Sequence, residues 1–210
     1  MLAAAVSARA GEVLLELGAG VGTASLCAAA RVPDCSILGL EIDADLVVLA
    51  RGNAATNGAK HVRFVQGDVF DPPEEARKDF GHVFCNPPFH GPDGEASPDA
   101  ARARALHDAG ALGAWLEAGM KRTASNGTFT AILRADRLGE VLRVLPDAGV
   151  TIFPLWPKKG EPARRAIVRV RKGSHEALNL LPGLVLHESN GHYTSAADEI
   201  LRNAMSLELG

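Results

Sequence analysis

Six residues, Glu12 to Leu17 (Glu-Val-Leu-Leu-Glu-Leu), form a short, mostly apolar run that is cut off by Gly18-Ala19-Gly20-Val21-Gly22. An alanine-rich stretch, Thr23 to Arg31, follows at once and ends before Pro33. A brief apolar run stopped by glycine predicts a buried strand, and the alanine-rich stretch a helix whose end the proline enforces. The glycines between them let the backbone turn tightly and approach a ligand with no Cβ in the way.

The same alternation continues along the chain. Ser36 to Ile42 predicts a second buried strand, and Asp43 caps a helix with Leu46, Val47, Leu49 and Ala50 on its apolar side, stopped at Asn57-Gly58. Val62 to Gln66 and His82 to Cys85 predict the third and fourth strands. Helical spacing runs from Pro98 to about Arg122, then a strand over Gly127 to Leu133, a helix over Asp136 to Leu145 and a strand over Val150 to Pro154. Arg164 to Arg171 alternates apolar and charged residues, as a half-exposed antiparallel strand does. Ser195-Ala196-Ala197-Asp198 reads as a capping box opening a last amphipathic helix with Ile200, Leu201, Ala204 and Met205 inward. Strand–helix alternation of this kind predicts an α/β fold: an open, largely parallel sheet with helices on both faces and an antiparallel addition at the end. Ligands of such sheets bind at the carboxyl ends of the strands, where the strand order reverses.

The chain of 210 residues fits one domain spanning 1–210, large enough to bury a core and a ligand cleft. A formal net charge of -3 excludes a histone-like mode of nucleic-acid binding, so any such contact must come from local basic patches. Cys27, Cys35 and Cys85 have no C-x-x-C spacing and read as reduced thiols, which with the absence of a long apolar run or signal peptide makes the cytoplasm the expected location, away from membranes.

The turn after the first strand is acidic-x-G-x-G-x-G, built from Glu16, Gly18, Gly20 and Gly22. A dinucleotide fingerprint would need its third glycine at position 23, where the chain has Thr23, which disfavours a nicotinamide-dependent dehydrogenase. Pyrophosphate favours a bare helix terminus. Glu16 instead suits a ligand carrying an ammonium and a sulfonium. Glu41 ends the second strand, where a carboxylate accepts from both ribose hydroxyls. Gln66-Gly67-Asp68-Val69-Phe70 ends the third, placing Asp68 to accept from an adenine amine and the Val69 amide to donate to a ring nitrogen. Three motifs at three consecutive strand ends together predict one nucleoside site.

Asn86-Pro87-Pro88-Phe89 ends the fourth strand. Two prolines stiffen the backbone and remove two amide donors, leaving carbonyls as acceptors, and Asn86 adds a side-chain oxygen. The lone pair of an aromatic amine is delocalised into its ring. Acceptors holding both of its hydrogens pull the nitrogen toward a tetrahedral shape and aim the lone pair outward, while Phe89 stacks on the ring.

With these motifs in place, the chain resembles the class I methyltransferases that use S-adenosylmethionine and an N-P-P-[FY] amino-methylating site. More narrowly, it resembles the bacterial tRNA(1)(Val) adenine N6-methyltransferases. Trp156-Pro157-Lys158-Lys159-Gly160, Ala163-Arg164-Arg165, Leu184-Val185-Leu186-His187 and Gly191-His192-Tyr193-Thr194 occur in that family's order. The resemblance implies a Rossmann-like, mostly parallel seven-stranded sheet with an antiparallel last strand, and methyl transfer to adenine N6 in tRNA. It implies S-adenosylmethionine binding by Glu16, Gly18, Gly20, Gly22, Glu41, Asp68, Val69 and Asn86, with Asn86, Pro87 and Phe89 catalytic. The family carries a segment before the first strand, with a Gly-Thr-Asp type motif that helps close over the cofactor; here that cover is expected to be short or missing.

Lys158, Lys159, Arg164 and Arg165 cluster between the last two strands and form a candidate phosphate-binding patch. The histidines show no metal-ligand spacing, methyl transfer of this kind needs no metal, and His90, beside the catalytic turn, reads as a bystander sooner than as a lining residue of the base pocket. Two rival readings remain: a glutamine N-methyltransferase of the release-factor type, which shares the N-P-P-[FY] geometry but usually carries an N-terminal helical substrate domain, and a catalytically silent binding domain of the same fold. Oligomeric state has no signature in the sequence.

Overall fold

In the computed structural model, which describes residues 1–88 and 111–209, the local signals act as physical chemistry requires. Asp43 Oδ1 accepts from the amides of Asp45 (2.9 Å) and Leu46 (3.3 Å), opening a helix that closes at Asn57 before Gly58, which has φ +63°. The strands are β1 (Val13–Leu17), β2 (Ser36–Glu41), β3 (Val62–Gln66), β4 (Phe80–Cys85), β5 (Thr123–Arg134), β6 (Val150–Lys158), β7 (Arg165–Arg171), β8 (Asn179–Leu180) and β9 (Leu184–His187). The helices are α1 (Leu2–Ala5), α2 (Thr23–Arg31), α3 (Ala44–Thr56), α4 (Ala111–Arg122), α5 (Leu138–Val144) and α6 (Ser195–Arg202). Phe89, His90 and the stretch from Pro98 to Gly110 lie outside the described residues.

All strands join one sheet in the order β3-β2-β1-β4-β5-β7-β6-β8, with β9 also on β6. The first five in that order run parallel, and β7 is antiparallel to both β5 and β6. The order reverses between β1 and β4, where a crevice opens. Strand alternation divides the core. Leu15, Leu17, Leu38 and Leu40 face α4 and α5, packing with Trp115, Leu116 and Val141. Leu14 and Ile37 face α2 and α3 with Ala28, Val47, Ala50 and Phe64. Because side chains alternate with period two, Glu16 must share the face of Leu14, and Glu41 that of Ile37.

Three expectations change. Among the described residues the sheet has nine strands rather than seven, because β8 and β9 both add parallel to β6. The gap between them falls at Pro154 of β6: Ile152 pairs with Leu180 and Leu155 with Leu184, and proline has no N–H to continue the ladder. Second, the expected antiparallel strand is β7, inserted between β5 and β6, and two short parallel strands follow it in the chain. Third, α6 is capped one residue earlier than expected, by Thr194, whose hydroxyl accepts from the Ala197 amide at 3.2 Å. The helix ends at Arg202, so Ala204 and Met205 lie beyond it and are exposed, as is Leu201, while Ala197 is buried and Ile200 half-buried.

The two ends of the described chain meet. The buried Arg169 of β7 donates to Ser7 Oγ (3.0 Å) and to the Leu209 carbonyl (2.7 Å), and the Leu207 amide donates to the Ala4 carbonyl (2.8 Å). Arg31 of α2 donates to the carbonyls of Ala3 and Val6, seating the apolar α1 against the sheet.

Candidate active site

Because β1 to β4 run parallel and in register, with Leu17 beside Leu40 and Cys85, and Glu41 beside Gln66, their following residues line one edge side by side. Three strand gaps separate β3 from β4, about 14 Å, the reach of a nucleoside carrying an amino-acid tail. That edge brings together Glu16, the glycine turn, Glu41, Asp68-Val69 and Asn86, all of which the sequence singled out.

The three glycines of the turn adopt left-handed conformations, with φ +67° at Gly18, +55° at Gly20 and +85° at Gly22. A Cβ at Gly18 would stand 2.7 Å from the Trp115 ring, and one at Gly22 would stand 2.5 Å from Phe64. At Gly20 it would meet nothing within 4 Å. Gly18 and Gly22 therefore let the turn close onto the core, and Gly20 presents bare backbone to open space.

Glu41 braces this turn. One carboxylate oxygen accepts from the Gly20 amide at 2.8 Å, the other from the Asp43 amide at 3.1 Å. Each oxygen keeps further acceptor capacity. Glu16 lies deeper, 3% exposed, with Oε2 accepting from both the amide and the hydroxyl of Ser25 on α2. Burial pushes its carboxyl up to about 8, against the pull of the Ser25 bonds and with the nearby Glu41 carboxylate adding to the rise. Asp68 is half-buried; Oδ1 accepts from the Phe70 amide at 2.8 Å, which folds the turn after β3, and Val69 points into the core.

Two side chains at this edge carried no sequence signal. Trp115 of α4 lies against Gly18 and meets the half-exposed Phe70 edge-on, with ring centroids 6.2 Å apart and planes at 81°. Its indole nitrogen is buried and has no hydrogen-bond partner among the described residues. At helical spacing Trp115 reads as ordinary core, so only the structure shows it beside the glycine turn. Ser25 was equally silent.

Asn86 is exposed at the end of β4, Pro87 is buried behind it and Pro88 half-buried. Farther along the same edge the charge changes sign. Arg165, at the start of β7, pairs with Arg134 at the end of β5 and with Leu155 of β6, and Lys158 at the end of β6 pairs with His187 of β9. Lys159, Arg164 and Arg165 are exposed, and Lys158 Nζ donates to the Ser189 carbonyl at 3.1 Å. The structure thus places the basic cluster on the same edge as Asn86, but beyond β5, separate from the acidic half.

A parallel sheet reversing at β1/β4, a glycine turn over bare backbone and carboxylates closing the first two strands define a class I, Rossmann-like methyltransferase. Comparisons agree: residues 1–114 match the methyltransferase small domain, and the chain belongs to that family. Curated relatives include a release factor glutamine methyltransferase of Aliivibrio fischeri, 37% identical over 37% of this chain and 27% of its own length. They also include a tRNA1(Val) (adenine(37)-N6)-methyltransferase of Shewanella sp., 28% identical over 87% of this chain and 79% of its own. The chain therefore spans about a quarter of the first relative and most of the second. A crystal structure described as a predicted O-methyltransferase from Agrobacterium tumefaciens superposes with a TM-score of 0.81 at 23% identity, over 98% of this chain and 96% of that one. The chain is an S-adenosylmethionine-dependent methyltransferase, and its residues fit that cofactor: open backbone at Gly20, acceptor capacity on Glu41 and, at Trp115, a buried indole N–H without a partner among the described residues.

Proposed function

We propose that this enzyme methylates an exocyclic amino nitrogen, and that its substrate is adenine N6 in tRNA. The observation that carries the reading is the Asn86-Pro87-Pro88 turn, standing at the switch point one strand from the glycine turn. In this reading Glu16 faces the ammonium of the methionine tail, Gly18, Gly20 and Gly22 give it room, Glu41 accepts from the ribose, and Asp68 with the Val69 amide holds the adenine. S-adenosylmethionine, when bound, supplies a methyl group on a sulfonium, an electrophile that needs no further activation.

The chain's own residues then act on the acceptor. Asn86 Oδ1 and a carbonyl of the proline turn accept the two amine hydrogens and turn the lone pair out of the ring plane. The prolines offer no competing N–H. After transfer, the surplus proton leaves the nitrogen for water. An adenine in a duplex would have to leave its stack to reach this turn, whereas one in a loop is already available.

RNA is favoured over a glutamine amide by the second half of the chain. The tRNA-methyltransferase relatives match over 87% to 92% of the chain, too much to leave out the strands that carry the basic cluster, whereas the glutamine-methyltransferase match covers 37% of it. Three free cysteines suit a reducing compartment, and no helix among the described residues is long and apolar enough to cross a membrane, so the cytoplasm is the proposed place of action.

The test is methylation of undermodified total tRNA with labelled cofactor, followed by nucleoside analysis. N6-methyladenosine is the expected product. Label appearing on a release-factor glutamine and not on RNA would establish the rival amide substrate. Asn86→Ala should abolish turnover while leaving cofactor affinity near that of the parent, and Asn86→Asp, which still accepts hydrogen bonds, should keep part of the activity. Undiminished turnover in Asn86→Ala would show that the turn is merely structural.

A further inference from the structure

The Gly191-His192-Tyr193-Thr194 motif has no part in the cofactor or amine chemistry, yet the structure gives it a defined place. Tyr193 stacks on His187 with ring centroids 4.7 Å apart and planes at 26°, and remains 47% exposed. The seat of this stack is built by backbone. Glu188 N donates to the His192 carbonyl (2.8 Å), Gly191 N to the Glu188 carbonyl (3.0 Å), and Thr194 N to the Leu186 carbonyl (2.9 Å). Thr194 Oγ1 donates to the Val185 carbonyl (2.7 Å), and His187 Nδ1 lies 3.2 Å from the Gly191 carbonyl. An aromatic face held open by so many backbone bonds loses little freedom when something stacks on it.

Its position on the sheet says what that something is. His187 pairs with Lys158, and β9 and β6 run in the same direction as β4, so the stack stands on the edge that carries Asn86. Four strand gaps separate β4 from β9, about 19 Å. That is too far to touch the base being methylated. It equals about five or six stacked nucleotides at roughly 3.4 Å each. The groove beside the stack is lined by Lys158, Lys159, Thr194 and the backbone-holding Ser189, with Glu161 and Glu188 limiting its positive charge. The two lysines can meet phosphates there, while the two carboxylates leave the ring as the chief contact of this groove.

We propose that the His187–Tyr193 stack is a platform for a second nucleobase of the RNA substrate, several nucleotides from the target adenine. This rests on the RNA reading above. Base–aromatic stacking of this kind is sequence-tolerant, so the platform sets register and affinity rather than base identity.

The test compares the parent with Tyr193→Ala, Tyr193→Phe and Tyr193→Leu, using an unmodified tRNA transcript, and follows kcat, KM, salt dependence and melting temperature. Tyr193→Ala should raise the KM for tRNA about 10-fold or more, with kcat and S-adenosylmethionine affinity unchanged. The salt slope should also hold, because the ring releases no counterions. Tyr193→Phe should behave as the parent. Tyr193→Leu, which still covers His187, should match the parent's melting temperature but share the raised KM. If the parent methylates the transcript and both Ala and Leu variants keep its KM within twofold, the platform is refuted while the RNA reading stands. If the parent neither binds nor methylates the transcript, it is the RNA reading that falls, and the platform with it.

Discussion

Replacing Glu41 with alanine should weaken S-adenosylmethionine binding about 100-fold. The ribose hydroxyls would lose two hydrogen bonds to a charged acceptor, each contributing about 1.5 kcal/mol or more, and 1.4 kcal/mol is tenfold. The structure adds a second loss. Glu41 also accepts from the amides of Gly20 at 2.8 Å and Asp43 at 3.1 Å, so alanine leaves the turn unbraced even before ligand arrives. An amide left without its partner costs about 1–3 kcal/mol, which should lower the melting temperature of the ligand-free enzyme. Glu41→Gln separates the two effects. Its oxygen can replace one carboxylate acceptor but its NH2 faces a second N–H, so it should keep part of the brace and lose about tenfold in affinity. Calorimetric titration at saturating protein stability, paired with thermal melts, reads both quantities. A Glu41→Ala variant that melts lower but binds the cofactor within threefold of the parent would show that Glu41 only braces the turn, and would sink its ribose role.

Glu16 carries a pH signature. Its folded-state value of about 8 lies above the ordinary 4.5, so between those limits the folded chain holds a proton that the unfolded chain releases. Stability therefore falls as pH rises through that window, and Glu16→Gln should flatten the decline in denaturant titrations. A cationic amine seated beside Glu16 should expel that proton, so cofactor affinity should rise from pH 6 toward 8 in the parent and less in Glu16→Gln; identical profiles would refute the pairing. Replacing Lys158, Lys159, Arg164 and Arg165 together with alanine should weaken tRNA binding and reduce its salt slope, read by binding assays across a salt series, with cofactor affinity unchanged. Gly22→Ala, strained by its φ of +85° and facing Phe64 at 2.5 Å, should destabilise the fold. Gly20→Ala, strained but with open space around it, should lower cofactor affinity more than the denaturation midpoint.

The parts legible in the sequence are those whose meaning is local. Glu16 to Gly22, Glu41, Gln66 to Phe70 and Asn86 to Pro88 each follow an apolar run by a fixed offset, and parallel pairing alone brings the ends of such runs together. That Glu16 and Glu41 share one side follows from period-two alternation once the structure pairs β1 with β2. What was not legible depends on contacts between distant segments. Trp115 repeats at core spacing on α4, and nothing in its neighbourhood announces Gly18, almost a hundred positions earlier. β8 is two residues long, too short to show a period, and exists because β6 offers it an edge. The cap of α6 shifted because Ser195 and Thr194 are chemically equivalent there, and the backbone bonds of Thr194 to Val185 and Leu186 decided between them.

The junction at Arg169 bears on how the enzyme is made. That guanidinium grips Ser7 and Leu209 together, and Ala4 receives its hydrogen bond from Leu207. Ala4 thus takes its partner from Leu207, near the far end of the described residues, whereas Ala3 and Val6 are already held by Arg31 of α2. The strands β1 to β4 lie within residues 13–85 and α1 can seat on α2 beside them, whereas the junction at Arg169 joins Ser7 to residues far along the chain. Such late, long-range closure is slow compared with local pairing. It lets the cofactor cleft take shape while the seam around Arg169 is still open.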